Sequence, residues 1–468
     1  MKKIALSLAS AFIFMGCSAQ QTEILSKEGL TTTSSTQIVS KVQTPDWTKD
    51  AVIYQINTRQ YSEAGTFAAV EADLNRIKDL GVDILWFMPI HPIGEEKRKG
   101  SMGSPYAVKD FRAVNTDLGS LDDFKSLIET AHALDMKVII DWVANHTAWD
   151  NHLIMDHPEW YTRDKNGDMQ HPEGTDWVDV ADLDYTQQGL RNYMKEALLY
   201  WVQDVGIDGF RCDVAGMVPT DFWNDVRPAL DAVKPVFMLA EWQEQELHEE
   251  AFDASYAWKW KEVLQDIVKE KADALDMKTY YTDYQNNWPE GAMRMAYTSN
   301  HDQNTWDGLP QDIYGEAYEA GMALSFVGSG IPLIYNGQEA GNTKRLEFFE
   351  KDLIVWNFDH PNNDFFKKLV SFKTEYKALH NGLWGGDMVF LKTDKPEHIL
   401  SFIREKNGVH VLALFNLSSE VQTFSLMNEE LQGRYSLALG QESEDLTFSD
   451  ELSLAPWAYQ IFVQSNDN

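Results

Sequence analysis

Cysteine is nearly absent, with two in 468 residues. Cys17 and Cys212 stand in unrelated settings, so no disulfide framework organises the chain. Cys212 falls in an apolar strand-like run and reads as a small core residue. Basic residues are also scarce. Lys and Arg number 40 against 73 Asp and Glu, a formal charge of −33. Without a basic stripe the chain cannot release counterions from phosphates, which excludes nucleic acid as a partner. The same balance disfavours an acidic polymer or an anionic membrane surface, leaving a neutral partner. The N-terminal apolar run, Ile4–Met15, falls short of the roughly 20 residues a membrane span needs. No Gly-rich phosphate loop, Cys/His metal spacing or Gly-x-Ser-x-Gly elbow occurs. What remains is a globular composition, 44% hydrophobic, with 28 glycines and 15 prolines. Sixteen Trp and eighteen Tyr mostly serve core packing, with flat faces to spare for a neutral ligand.

Lys2 and Lys3 precede the apolar run, which ends in Phe14-Met15-Gly16-Cys17. This resembles a bacterial lipoprotein cleavage site, although Phe14 stands where Leu is usual. The resemblance implies a signal peptide over residues 1–17 and a lipidated Cys17 as mature N-terminus. It places the protein in the bacterial cell envelope, at the outer membrane or cell surface, touching the membrane only through its anchor. Residues 18–45, with Thr31-Thr32-Thr33-Ser34-Ser35-Thr36, read as a flexible linker.

From residue 46 strands and helices alternate. Ala51 to Asn57, Val82 to Met88, Val138 to Ile140, the run ending at Asp213, Val236 to Glu241, Arg294 to Ser299 and Ile331 to Tyr335 read as buried strands. Between them, helical spacing recurs, as in Phe124, Leu127, Ile128, Ala131 and Leu134, opened by a capping pair Ser120 and Asp123. Asp79-Leu80-Gly81-Val82-Asp83 and Asp204-Val205-Gly206-Ile207-Asp208 echo each other as helix end, Gly, strand start. About eight such units predict an α/β fold, a (β/α)8 TIM barrel over residues 46–382. Residues 142–185 lack helical period and are expected to form a domain inserted after the third strand. Residues 383–468 change to short strands and turns, a C-terminal antiparallel β domain of sandwich type.

In such a barrel, functional groups sit where strands end. The third strand ends in Asp141-Trp142-Val143-Ala144-Asn145-His146, the fourth in Arg211-Cys212-Asp213, the fifth in Ala240-Glu241 and the seventh in Asn300-His301-Asp302. One carboxylate at a strand end is an ordinary cap or loop residue. Four such ends on different strands converge on one mouth. Glycoside hydrolysis needs two carboxylates, one to attack or act as base and one protonated as acid. Arg211 lies two residues from Asp213 on the same side of its strand, which would keep Asp213 ionised. Glu241 would need a raised pKa to act as acid.

These four segments resemble the conserved regions of the α-amylase family, glycoside hydrolase family 13. Val180-Ala181-Asp182-Leu183-Asp184 and Gly330-Ile331-Pro332-Leu333-Ile334-Tyr335 extend the resemblance, which runs from about residue 48 to the C-terminus. It implies a retaining hydrolase of α-glucosidic, mainly α-1,4, bonds in starch or maltodextrin. It makes Asp213 the nucleophile, Glu241 the acid/base and Asp302 the third carboxylate. Arg211 orients Asp213, His146 and His301 bind sugar hydroxyls, and Tyr106 stacks on the sugar at the cleavage point. Asn145 and Asp182 match two positions that hold a structural calcium in many members, and no organic cofactor is implied. Where the family often has Lys and His, three and four residues after the nucleophile, this chain has Gly216 and Met217. The usual contact to a sugar on the leaving-group side is therefore missing. The same catalytic set serves cyclodextrin- and pullulan-type hydrolases and glucanotransferases. A non-catalytic glucan-binding surface lipoprotein would be expected to lose a carboxylate, and all three are present.

Overall fold

The computed structural model describes residues 39–427, 434–443, 445–446 and 451–464. The expected signal peptide with Cys17, and residues 18–38 of the expected linker, lie outside the described residues. Eight parallel strands close a barrel: β1 (Ile53–Ile56), β2 (Ile84–Phe87), β3 (Lys137–Trp142), β6 (Gly209–Cys212), β7 (Phe237–Ala240), β8 (Ala254–Tyr256), β9 (Met293–Ala296) and β10 (Ile331–Tyr335). The antiparallel pair β4 (His146–Ala148) and β5 (Val180–Asp182) belongs to the insertion that follows β3. The predicted barrel and insertion are both present. One strand, β8, was not distinguished in the sequence, because three residues are too few to carry a readable period.

Period two decides what the barrel holds. Ile53, Ile84, Ile139, Phe237, Leu239, Met293, Met295, Ile331 and Leu333 pack together inside it. Their alternates, such as Val138, Ile140, Phe210, Cys212, Met238 and Ala240, face the surrounding helices. Cys212 is a buried free thiol, as its run suggested. Helices that return the chain carry their own stops: Leu121–Ala133 opens on the Ser120–Asp123 capping box, and Gly81 and Gly206 take φ of 88° and 98° where the chain turns from helix into strand.

Residues 39–45, read as the end of a linker, are fastened to the barrel. Lys41 N donates to Glu249 O at 2.7 Å, and Arg227 Nη2 donates to Gln43 O at 3.2 Å.

After the helix Pro361–Glu375 the chain enters an antiparallel sheet ordered β11 (Met388–Phe390), β12 (Ile399–Lys406), β13 (Val409–Asn416), β17 (Tyr459–Gln464), β15 (Tyr435–Gly440). The pair β14 (Gln422–Phe424) and β16 (Leu452–Leu454) shares a core with it through Leu412, Leu414, Phe424 and Leu454. Arg404, on β12, is buried and joins this domain to the barrel. Its guanidinium donates to the carbonyls of Val327, Gly328, His380 and Gly386 at 2.8–3.2 Å.

Candidate active site

Continuing the inward register of the strands by one step replaces apolar residues with polar ones. Ile139 is followed by Asp141, Gly209 by Arg211 and then Asp213, Leu239 by Glu241, and Ile53 by Gln55. The barrel thus carries a polar layer on top of two apolar ones, at the C-terminal ends of its strands.

Arg211 is the centre of that layer. It is fully buried, and its guanidinium lies 5.2, 5.8 and 5.5 Å from the rings of Trp86, Tyr106 and Tyr256. Nη1 donates to Asp141 Oδ1 at 2.7 Å and to Asp213 Oδ1 at 2.8 Å. Nη2 lies 2.8 Å from Glu241 Oε1, an ion-pair approach without hydrogen-bond angles. One cation therefore serves three buried carboxylates. Burial outweighs it, pushing Asp213 and Asp141 up to about 7 and Glu241 up to about 8; Arg211 opposes the rise, while neighbouring carboxylates add to it. The cation expected to keep Asp213 ionised favours that form, but it is shared with Asp141 and Glu241 and burial works against it.

Glu241 Oε2 accepts from Val214 N at 2.8 Å. Val214 follows Asp213 and takes the left-handed conformation, φ 36° and ψ 48°, a costly one for a β-branched residue. Two residues on, a Cβ at Gly216 would collide with the indole of Trp242, which adjoins Glu241. The place of the family's Lys is thus taken by a half-buried ring, itself edge-on to Trp258 at 5.9 Å.

The second part of the site is a hydrogen-bond chain. Gln55 Nε2 donates to His301 Nδ1 at 2.7 Å, which leaves the ring proton on Nε2. His301 Nε2 lies 2.7 Å from Tyr106 Oη, and Tyr106 donates to Asp141 Oδ2 at 3.0 Å. Burial lowers His301 and His146 to about 4, so both are neutral near pH 7. The Tyr106 ring runs nearly parallel to those of His301, at 5.7 Å, and Phe348, at 6.0 Å. Asp302 follows His301, with Oδ2 3.3 Å from its Nε2 and its side chain 41% exposed.

Tyr106, His146, Asp213, Glu241, His301 and Asp302 all line one cleft of about 460 Å³. Arg211 supports it from below. Asn145 and Asp182 also stand apart from this lining. They contact each other, Asn145 Nδ2 donating to Asp182 Oδ1 at 3.3 Å, and Thr162 Oγ1 donates to Asp182 Oδ2 at 2.7 Å. Burial raises Asp182, whose two side-chain hydrogen-bond partners are neutral. A hard cation would suit that half-buried carboxylate. Among the described residues, no three His, Cys, Asp or Glu side chains are grouped to hold a metal.

Gln55, Trp86, Tyr256 and Phe348 escaped the sequence reading, and Asp141 was seen only as a strand end. For Gln55 and Asp141 the signal was present as the period-two continuation of an inward-facing series, whereas the strand of Tyr256 is too short to show one. Phe348 belongs to a loop and had none.

The comparisons agree with this geometry. A crystal structure of an alpha-amylase from Lactobacillus plantarum is 31% identical to this chain, with a TM-score of 0.78 over 90% of this chain and 100% of that one. That of a noncanonic maltogenic alpha-amylase from Thermotoga neapolitana is 29% identical, also at 0.78, over 89% and 97%. An alpha-amylase of Haloarcula japonica is 25% identical over 442 residues, 88% of this chain; the match spans 62% of that protein's length. Residues 54–382 match the family of the alpha-amylase catalytic domain, and the chain belongs to it.

Proposed function

We propose that the protein is a retaining hydrolase of α-glucosidic bonds, mainly α-1,4, in starch, maltodextrin or related α-glucans. The observation that carries this is the sharing of one guanidinium by Asp213 and Glu241 in a cleft that Asp302 also lines. Burial raises both carboxyls, but only Asp213 receives a hydrogen bond from Arg211, which favours its ionised form and leaves the proton to Glu241. Asp213, held by Arg211 Nη1, attacks the anomeric carbon. The glycosidic C–O bond breaks as Glu241 passes its proton to the departing oxygen. Glu241, now ionised, takes a proton from water, whose oxygen displaces Asp213 from the sugar. Asp302, His146 and His301 bind hydroxyls of the sugar under attack, and Tyr106 supplies its face to that ring. Asp141, through Tyr106 and Arg211, positions both.

The test separates the two carboxylates. Asp213→Asn is expected to lower hydrolysis by about 1,000-fold or more, upwards of about 4 kcal/mol of barrier. Glu241→Gln still forms the glycosyl-enzyme from an activated aryl α-glycoside, whose leaving group needs no proton, and then stalls. Mass spectrometry should find the sugar on the Asp213 peptide. An adduct on another carboxylate, or inverted product by NMR, would sink the assignment.

Two further parts of the reading rest on sequence. A calcium ion held by Asn145 and Asp182 would neutralise the half-buried Asp182 and tie the insertion to the end of β3; no step of the reaction runs through it. Lipidation of Cys17, supported by Lys2, Lys3, the apolar run and Gly16-Cys17, would anchor the enzyme in the bacterial cell envelope, at the outer membrane or cell surface.

A further inference from the structure

Three loops that are distant in sequence meet along the cleft. The middle one, residues 94–103, is fastened on both sides. Towards the insertion, Lys99 Nζ lies 3.0 Å from Asp179 Oδ1 and donates to Asp176 O at 3.1 Å. Glu95 N donates to Asp150 Oδ2 at 3.0 Å, and Lys97 Nζ sits 3.1 Å above the Trp149 ring. Towards the loop after β10, Met102 N donates to Phe349 O at 3.0 Å. Ser101 N donates to Glu350 Oε1 at 2.8 Å, its hydroxyl bonds the other oxygen, and Lys99 Nζ lies 5.9 Å from the Phe349 ring. Lys99, Asp176, Asp179 and Phe349 line the same cleft as Asp213 and Glu241. The insertion, this strap and the β10 loop therefore form one continuous wall.

The chemistry says which end is walled. Glu241 protonates the departing oxygen, so the leaving group lies on the side of Glu241, Val214 and Trp242. The sugar attacked by Asp213 lies over Tyr106, and Tyr106 stacks on Phe348, next to Phe349 in the wall. The wall thus stands beyond the attacked sugar, where the chain would continue towards its non-reducing end.

Resting on the α-glucan hydrolase reading, we propose that the strap of residues 94–103 closes the glycone end of the cleft and makes the enzyme exo-acting, taking α-glucan chains by their free non-reducing end. The buried Asp179 fixes the position of Lys99, and Ser101 and Met102 hold the other flank, so the barrier is built from paired groups rather than from a loose loop.

The test compares a maltoheptaoside having a free non-reducing end with the same chain capped there by a 4,6-ethylidene group, followed by product chromatography. The wild-type enzyme is expected to cleave the capped chain at least about 100-fold more slowly, the scale on which a closed pocket rejects added bulk. Equal cleavage of both chains overturns the strap while leaving the hydrolase reading intact. Cleavage of neither chain overturns the hydrolase reading, and this proposal with it. Lys99→Gly combined with Ser101→Gly unfastens both flanks. It should raise capped relative to uncapped cleavage by about tenfold or more, and an unchanged ratio would overturn the strap as the barrier.

Discussion

Arg211 illustrates how one buried cation can set two acids apart. Replacing it with a neutral residue would strand Asp141, Asp213 and Glu241 against each other, the situation in which removing one member of a buried ion pair costs about 3–5 kcal/mol. With Arg211 in place, burial still raises both carboxyls, so the two limbs of kcat/KM against pH, which belong to the pair, should both lie above the ordinary carboxylate range. A plateau extending down to pH 5 would contradict that burial. Stability carries the same signature with a definite sign. Glu241 holds its proton more tightly folded, at about 8, than its ordinary value of 4.5. The stability this gives is complete below 4.5 and is lost as pH rises through about 8. Glu241→Gln does not titrate. Its urea midpoint should thus gain on that of the wild type from pH 5 to pH 9, and a constant difference would show that Glu241 is not buried as described.

At the scale of elements, the two ends of the insertion are tied where it leaves β3. The side chains of Asn145 and Asp182 meet there, Leu183 N donates to Asn145 O at 3.1 Å, and β4 pairs directly with β5. If calcium sits there, chelation should lower the melting temperature, since an ion bound only by the folded state stabilises it. An unshifted Tm together with a metal-free purified protein would remove the ion. This part of the molecule was also the hardest to read beforehand. Strands such as β3 and β7 announce themselves by apolar runs, and their polar ends located Asp141, Asp213 and Glu241. The strand β8, Ala254–Tyr256, is too short to show a period, so Tyr256 was not connected with Arg211, although its hydroxyl lies 3.2 Å from Arg211 Nε. The wall was illegible for another reason. Lys99, Asp179 and Phe349 belong to loops whose pairing depends on tertiary closure, and no local pattern marks them.

For the whole molecule, Arg404 is a buried cation at the join between barrel and C-terminal sheet, which Tyr459 and Glu319 also bridge. Arg404→Met would keep the bulk but leave four carbonyls without their donor, and should cost about 3 kcal/mol or more, read as a lower urea midpoint. An unchanged midpoint would mean that the other contacts between the two domains, such as that of Tyr459 with Glu319, hold them without it. The anchor is tested at the same scale. Cys17→Ser should move the enzyme from the membrane to the soluble fraction without loss of specific activity, and unchanged partition after detergent fractionation would dismiss lipidation. The wall of residues 94–103 has a consequence for traffic. A cleft closed at one end has a single doorway. The severed remainder of the chain must leave through it first, then water must enter, and the released sugar must go out the same way before another chain comes in. An enzyme built so cannot slide along its polymer. Each cut is a separate visit, and an accumulating short product blocks the entrance to the next chain.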